Sequence, residues 1–227
     1  MCGRFSQGEP SRHISDYFGA YPDEDLPDGL YNVPPTESIR MLVERDGALR
    51  LTAARWGFQP FWTSSAEGPP RSWINARAET AFDSPAFGQA LRATRCVIPA
   101  DAFYEWDRSA SPRQPYAIGP AGEGEMLALA GIWSASRDRG VTAAILTTRP
   151  NEFVAPIHNR MPVILPRDLV DAWLDPASEP ADLEPMLAPA PEASLRIWPV
   201  STEVNRVAAD GPHLLDRVEL AATLGLA

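Results

Sequence analysis

Ser38-Ile39-Arg40-Met41-Leu42-Val43-Glu44-Arg45-Asp46-Gly47-Ala48-Leu49-Arg50-Leu51-Thr52-Ala53-Ala54-Arg55-Trp56 places two β-rich runs on either side of an Asp-Gly dipeptide. Asp-Gly tolerates the positive φ angles of a tight hairpin turn, so the stretch predicts two paired strands, Ser38–Glu44 and Ala48–Trp56. Working outward, similar short runs recur at Arg95–Pro99, Phe103–Trp106, Pro115–Ile118, Met126–Trp133, Val141–Thr148, Pro162–Leu165 and Leu195–Val200. Several are continuously apolar, as expected of strands covered on both faces. Helical signals are fewer. Ser84-Pro85 opens one that runs to about Ala93, Pro166–Leu174 forms another, and weaker signals lie at Ser11–Phe18 and near the C-terminus. The expectation is one α+β domain over residues 1–227, mostly antiparallel, with a curved barrel-like sheet and a few flanking helices. Residues 2–175 and 195–215 are expected to form its core, with about 176–194 an irregular acidic insertion rich in Pro and Ala.

Composition narrows the function. The chain has 227 residues, two cysteines, three histidines and a net charge of −10. No run approaches the roughly 18 apolar residues of a membrane span. The start of the chain lacks the basic and apolar regions of an export signal, so a cytoplasmic protein without structural disulfides is expected. Cys and His show no zinc-ligand spacing, and no metal is expected. No phosphate-binding loop, dinucleotide fingerprint or nucleophile elbow is present, and no small-molecule cofactor is expected. The negative charge argues against nucleic acid, but its distribution weakens that objection. Asp23, Glu24, Asp25 and Asp28 lie in one arginine-free loop; Asp175, Glu179, Asp182, Glu184 and Glu192 lie in another stretch without arginine. The remaining body is close to neutral and can present a local arginine face to phosphate.

Cys2 follows only Met1, and methionine before a small residue is usually trimmed, so a mature chain beginning with Cys2 is expected. An N-terminal cysteine joins a thiol and an α-amine, with ordinary pKa values of about 8.5 and 7.7–8.0, on one residue. All 20 basic residues are arginine. The α-amine is then the one amine suited to attack a carbonyl, and imine chemistry must occur there or not at all.

Other residues add weaker signals. In Trp73-Ile74-Asn75-Ala76-Arg77-Ala78-Glu79-Thr80 an amide, a guanidinium and a carboxylate alternate, which puts them on one face of a strand. A solvent-facing edge strand explains that equally well. Phe103-Tyr104-Glu105-Trp106 sets a carboxylate among aromatics, a setting for general acid/base work or for a glutamate snorkelling to water. His158 and Arg160 precede a buried strand in Pro156-Ile157-His158-Asn159-Arg160-Met161-Pro162. Trp56 and Trp62, near Arg55, offer aromatic faces for stacked bases, although core packing is the commoner use.

Taken in order, these segments resemble the SRAP family, the SOS-response-associated peptidase domain. The resemblance rests on Cys2-Gly3-Arg4-Phe5, Tyr31-Asn32-Val33-Pro34-Pro35-Thr36, Arg55-Trp56-Gly57, Ile74–Thr80, Arg95–Asp101, Phe103–Trp106, Ile145–Thr148, Pro156–Pro162 and Pro199–Thr202. It spans essentially the whole chain and departs from the pattern at Phe58-Gln59 and within Val204–Pro212. It implies a barrel-like α+β domain that binds single-stranded DNA and crosslinks to the aldehyde of an abasic site through a thiazolidine at Cys2. It also implies that Asn75, Glu105 and His158 complete the catalytic set and that Arg4, Arg77 and Arg160 grip phosphates. A monomer that associates with the nucleoid when bound to DNA is expected. The competing readings are a Cys2-dependent peptidase or N-terminal-nucleophile hydrolase, including removal of its own Met1, and a non-catalytic interaction domain.

Overall fold

The computed structural model describes residues 2–63, 72–107, 111–136 and 139–220. Its strands are β1 (Phe5–Gln7), β2 (Tyr21–Pro22), β3 (Leu30–Val33), β4 (Ser38–Arg45), β5 (Ala48–Trp56), β6 (Asn75–Arg77) and β7 (Arg95–Ala100). They continue as β8 (Ala102–Asp107), β9 (Gln114–Pro120), β10 (Leu127–Ser136), β11 (Gly140–Thr148), β12 (Met161–Pro162), β13 (Ile164–Leu165) and β14 (Leu195–Pro199). The helices are α1 (Ser11–Phe18), α2 (Ala78–Ala81), α3 (Gly88–Ala93), α4 (Val170–Leu174) and α5 (Pro180–Leu183).

The hairpin expected at Asp46-Gly47 forms. The two residues take φ of 56° and 76°, and β4 pairs with β5 from Ser38↔Arg55 to Arg45↔Ala48. From this hairpin a closed five-stranded barrel is built. β4 pairs with β7, β7 with β10, and β10 with β11, all antiparallel. The ring closes where β11 meets β5 in parallel at Thr142↔Arg55 and Ala143↔Trp56. Closure leaves no open edge between these strands. A second sheet, in the order β14-β9-β8-β1-β3, packs beside it.

The barrel strands alternate between two cores. Leu42, Val97, Ile132 and Leu146 cluster with helix residues Ile14, Leu91, Trp173 and Leu183. Their neighbours Met41, Val43, Ile98, Leu129 and Ile145 cluster with Phe5, Phe103 and Ile118 of the second sheet. Both faces are covered, which is why these strands read as continuous apolar runs.

Residues 176–194 are not the irregular insertion outside the core that the composition suggests. Glu179 and Asp182 form a reciprocal capping box at the start of α5, followed by a 3-10 turn at Glu184–Leu187. Leu183 and Leu187 enter the core while the carboxylates face outward. Trp73–Thr80 is also not one strand. β6 ends at Arg77 and α2 begins at Ala78, so Glu79 leaves the face shared by Asn75 and Arg77. The weak C-terminal helical signal yields a 3-10 turn at Pro212–Leu215, and residues 221–227 lie outside the described residues.

Candidate active site

The start of the chain is laid down by strand pairing. Phe5 is in register with Phe103, and the Tyr104 N–H donates to the Arg4 carbonyl at 2.9 Å. The pairing with β8, which carries Glu105, therefore extends past β1 to Arg4. On the other side, β6 runs parallel to β11 with Asn75 opposite Ile145. Asn75 Nδ2 donates to the Cys2 carbonyl at 2.8 Å, and Asn75 Oδ1 is buried without a hydrogen-bond partner. One amide thus fixes the backbone of residue 2 and keeps a free acceptor.

Cys2 is fully buried. Burial pushes its thiol above the ordinary value, and the Glu105 carboxylate adds to the effect. A hydrogen bond from the Arg4 backbone acts in the opposite direction but does not win. The direction is opposite to that of the low-pKa cysteines of nucleophilic thiol sites.

Glu105 and His158 are both almost completely buried, with His158 Nδ1 3.8 Å from Glu105 Oε1. The imidazole sits on a turn built by Asn151, whose Oδ1 accepts from the Val154 N–H at 2.9 Å. The Val154 carbonyl then accepts from the His158 N–H at 3.0 Å. Nδ1 also lies 3.1 Å from both the N–H and the C=O of Arg160. A neutral ring with its proton on Nε2 accepts there from the Arg160 N–H.

Asn75 thus bonds Cys2, Glu105 lies close enough to act electrostatically on the Cys2 thiol, and Glu105 pairs with His158. The arginines are placed differently from one another. Arg77 is exposed. Arg160 is nearly buried and grips Glu79 in a fork, Nη1–Oε1 at 2.6 Å and Nη2–Oε2 at 2.8 Å. Its Nη2 also donates to the Thr147 carbonyl, opposite Arg77 in the β6–β11 register. The Arg160 bond holds the Glu79 carboxyl below its usual range. Arg4 is half-buried, with Nη1 donating to Asn32 Oδ1 at 2.7 Å and to the Val204 carbonyl at 3.0 Å.

The tryptophans separate. Trp62 is 56% exposed and lines a groove with Phe58, Phe61 and Trp133. Trp56 is fully buried, so its ring has no free face for a base, and its expected role as a DNA contact is corrected to a core role. Position beside arginine suggested stacking; only the closed barrel shows that β5 turns this side chain inward.

Two residues gained importance only in three dimensions. Asn32 accepts from Arg4 and donates to the carbonyls of Val204, Arg206 and Ala209, tying the C-terminal segment to β3. Asn205 Oδ1 accepts from the Trp106 indole at 2.6 Å. Both partners lie too far apart in sequence for local patterning to reveal. Among the described residues, no group of three or more His, Cys, Asp or Glu side chains is placed to hold a metal ion.

Comparison with known proteins agrees over the whole chain. The family model described as SOS response associated peptidase (SRAP) matches residues 1–207. The chain is 38% identical over 226 residues to the abasic site processing protein YoaM of Bacillus subtilis (strain 168), covering 95% of this chain and 98% of that one. It is 30% identical over 228 residues to the abasic site processing protein YedK of Escherichia coli (strain K12), covering 96% and 100%. A solved protein from Bordetella bronchiseptica superposes with a TM-score of 0.77 at 26% identity, covering 88% of this chain and 100% of that one. One from Bacteroides thetaiotaomicron superposes at 0.85 with 23% identity over 96% of this chain and 100% of that one, and shares the fold. The chain belongs to the SOS response associated peptidase (SRAP) family.

Proposed function

We propose that this protein processes abasic sites in DNA, binding single-stranded DNA and capturing the ring-opened sugar aldehyde as a thiazolidine at Cys2. The observation that carries the proposal is the anchoring of residue 2, with its carbonyl held by Asn75 and its thiol buried within electrostatic reach of Glu105. Relatives of nearly full length bear the name abasic site processing protein.

The chemistry requires a chain that begins at Cys2; Met1 lies outside the described residues. The α-amine adds to the aldehyde carbon, and proton transfers through Glu105 and His158 release one water to leave an imine. The sulfur then forms a bond to the imine carbon while its proton passes, by way of the carboxylate, to the nitrogen. No oxidant is needed. A cationic iminium formed beside the sulfur lowers the thiol pKa at the point where the sulfur must attack. Asn75 Oδ1 is free to accept from the α-amine or a sugar hydroxyl. Arg77, with Arg160 once its fork opens, supplies the phosphate contacts. The setting is the cytoplasmic nucleoid during the DNA-damage response.

The test is intact-mass spectrometry of the Met1-free protein with single-stranded DNA carrying one abasic site. The expected product is a heat-stable adduct weighing the sum of the reactants less one water. Cys2→Ala abolishes it, Cys2→Ser leaves only an imine that borohydride traps, and retention of Met1 blocks it. A heat-stable adduct in Cys2→Ala sinks the mechanism.

A further inference from the structure

The side chain of Trp56 touches both strands that deliver the site. Its Nε1–H donates to the Ile74 carbonyl at 2.9 Å, one residue before Asn75. Its ring packs edge-on against Phe5 with centroids 4.9 Å apart and planes at 70°, three residues after Cys2. The Ile74 carbonyl already accepts from the Ile145 N–H at 3.0 Å, so the indole occupies its second lone pair. Trp56 itself is held rigidly. Its N–H donates to the Glu37 carbonyl at 2.8 Å, its carbonyl accepts from the Thr36 N–H at 2.9 Å, and it lies in parallel register with Ala143 at the barrel seam.

We infer that Trp56 is the positioning residue of this site, setting β6 against the start of β1 so that the Asn75 amide meets the Cys2 carbonyl. β6 has three residues and shares its register with only three residues of β11. A strand that short has few ladder bonds to resist sliding or rotation. A buried indole on a rigid barrel strand supplies the missing constraint in two directions, polar toward β6 and aromatic toward β1. The role needs no contact with DNA. The inference rests on the proposed abasic-site chemistry for its kinetic consequence but not for its structural one.

Trp56→Phe keeps an aromatic ring and removes the N–H. The matched control is Trp173→Phe, because the buried Trp173 indole donates to the Cys96 carbonyl at 2.9 Å, elsewhere in the core. Two readouts are combined. The first is the rate of adduct formation at saturating abasic single-stranded DNA, together with the DNA concentration giving half that rate. The second, without DNA, is alkylation of Cys2 and Cys96 by a maleimide, resolved by peptide mass.

For Trp56→Phe the maximal rate is expected to fall about 3- to 10-fold, as for loss of one intramolecular hydrogen bond, with half-saturation unchanged. Cys2 alkylation rises while Cys96 stays protected. Trp173→Phe is expected to leave the maximal rate and Cys2 protection at wild-type values. Phe5→Leu, which removes the ring contact from the other side, is expected to reproduce the Trp56→Phe pattern if that variant folds poorly. Wild-type Cys2 protection in both Trp56→Phe and Phe5→Leu overturns the inference, as does an equal effect of Trp173→Phe. Absence of any adduct in the wild-type protein overturns the proposed chemistry instead, and the alkylation comparison still decides the role of Trp56.

Discussion

Asn75 Nδ2 donates to the main-chain carbonyl of Cys2 at 2.8 Å across 73 positions of sequence. The bond orients the residue that supplies both nucleophiles in the proposed reaction, and Oδ1 of the same amide is buried without a hydrogen-bond partner. Replacing Asn75 with Ala or Asp removes the donor. Adduct formation at saturating DNA is expected to slow by about 10- to 100-fold, the range for unpairing one buried polar group. DNA affinity should stay within about threefold of wild type. Single-turnover gel assays measure the first and fluorescence anisotropy the second; a wild-type rate in Asn75→Ala would remove the residue from the mechanism.

The two buried thiols predict alkaline sensitivity. Burial raises both Cys2 and Cys96 above their ordinary value of 9.0. A raised thiol favours the folded state while it is protonated, so its contribution is complete below pH 9 and is lost as pH climbs. The unfolding free energy should fall above pH 9 by up to about 1.4 kcal/mol per pH unit for each thiol. Urea titrations at pH 7, 9 and 10 check this, and Cys96→Ala should show a shallower decline than wild type.

Arg77 and Arg160 should respond differently to truncation. Arg77 is exposed, whereas Arg160 is anchored to Glu79 and Thr147. Arg77→Ala is expected to weaken single-stranded DNA binding and reduce the slope of log K against log salt by about 0.7, the loss of one phosphate contact. Its thermal stability should stay near wild type. Arg160→Ala should in addition lower the unfolding free energy by about 1–2 kcal/mol because it strips a donor from the Thr147 carbonyl. Anisotropy at several salt concentrations and urea unfolding separate the two; an unchanged slope in Arg77→Ala would exclude it as a phosphate contact.

Asn32 should act as a latch for the C-terminal segment. Its amide holds the carbonyls of Val204, Arg206 and Ala209 and receives Arg4. Asn32→Ala is expected to cost about 2–4 kcal/mol of stability, since several part-buried groups lose partners together. Trypsin should then cleave after the exposed Arg206 faster than in wild type. Equal cleavage rates would show that the segment is held by other contacts.

Much of this architecture was legible in local pattern. The Asp46-Gly47 hairpin appeared where its turn residues require, and Arg95–Pro99 and Val141–Thr148 lie within β7 and β11. Those elements follow from turn chemistry and apolar runs, which act over a few residues. Trp73–Thr80 failed as one strand because alternation of Asn75, Arg77 and Glu79 fits a strand, yet β11 has room beside it for only the first three residues of Asn75–Thr80. Residues 176–194 failed because Pro and acid content masked the spacing of Leu183 and Leu187, which is what packs.

The chain alone determined the chemistry on offer: a cysteine at position 2, no lysine, one carboxylate among aromatics and one histidine before a buried strand. These are properties of residue type and order, and folding does not alter them. Tertiary structure alone decided which groups meet and in what state. Closure of the barrel through β11 and β5 buries Trp56, places Ile74 on its indole and brings Asn75 to Cys2. Burial, a property of the whole packed core, then pushes the Cys2 thiol above its ordinary value, and the Glu105 carboxylate adds to it. The physical reason is distance, because contacts across 18, 73 and 200 positions leave no trace in any local period.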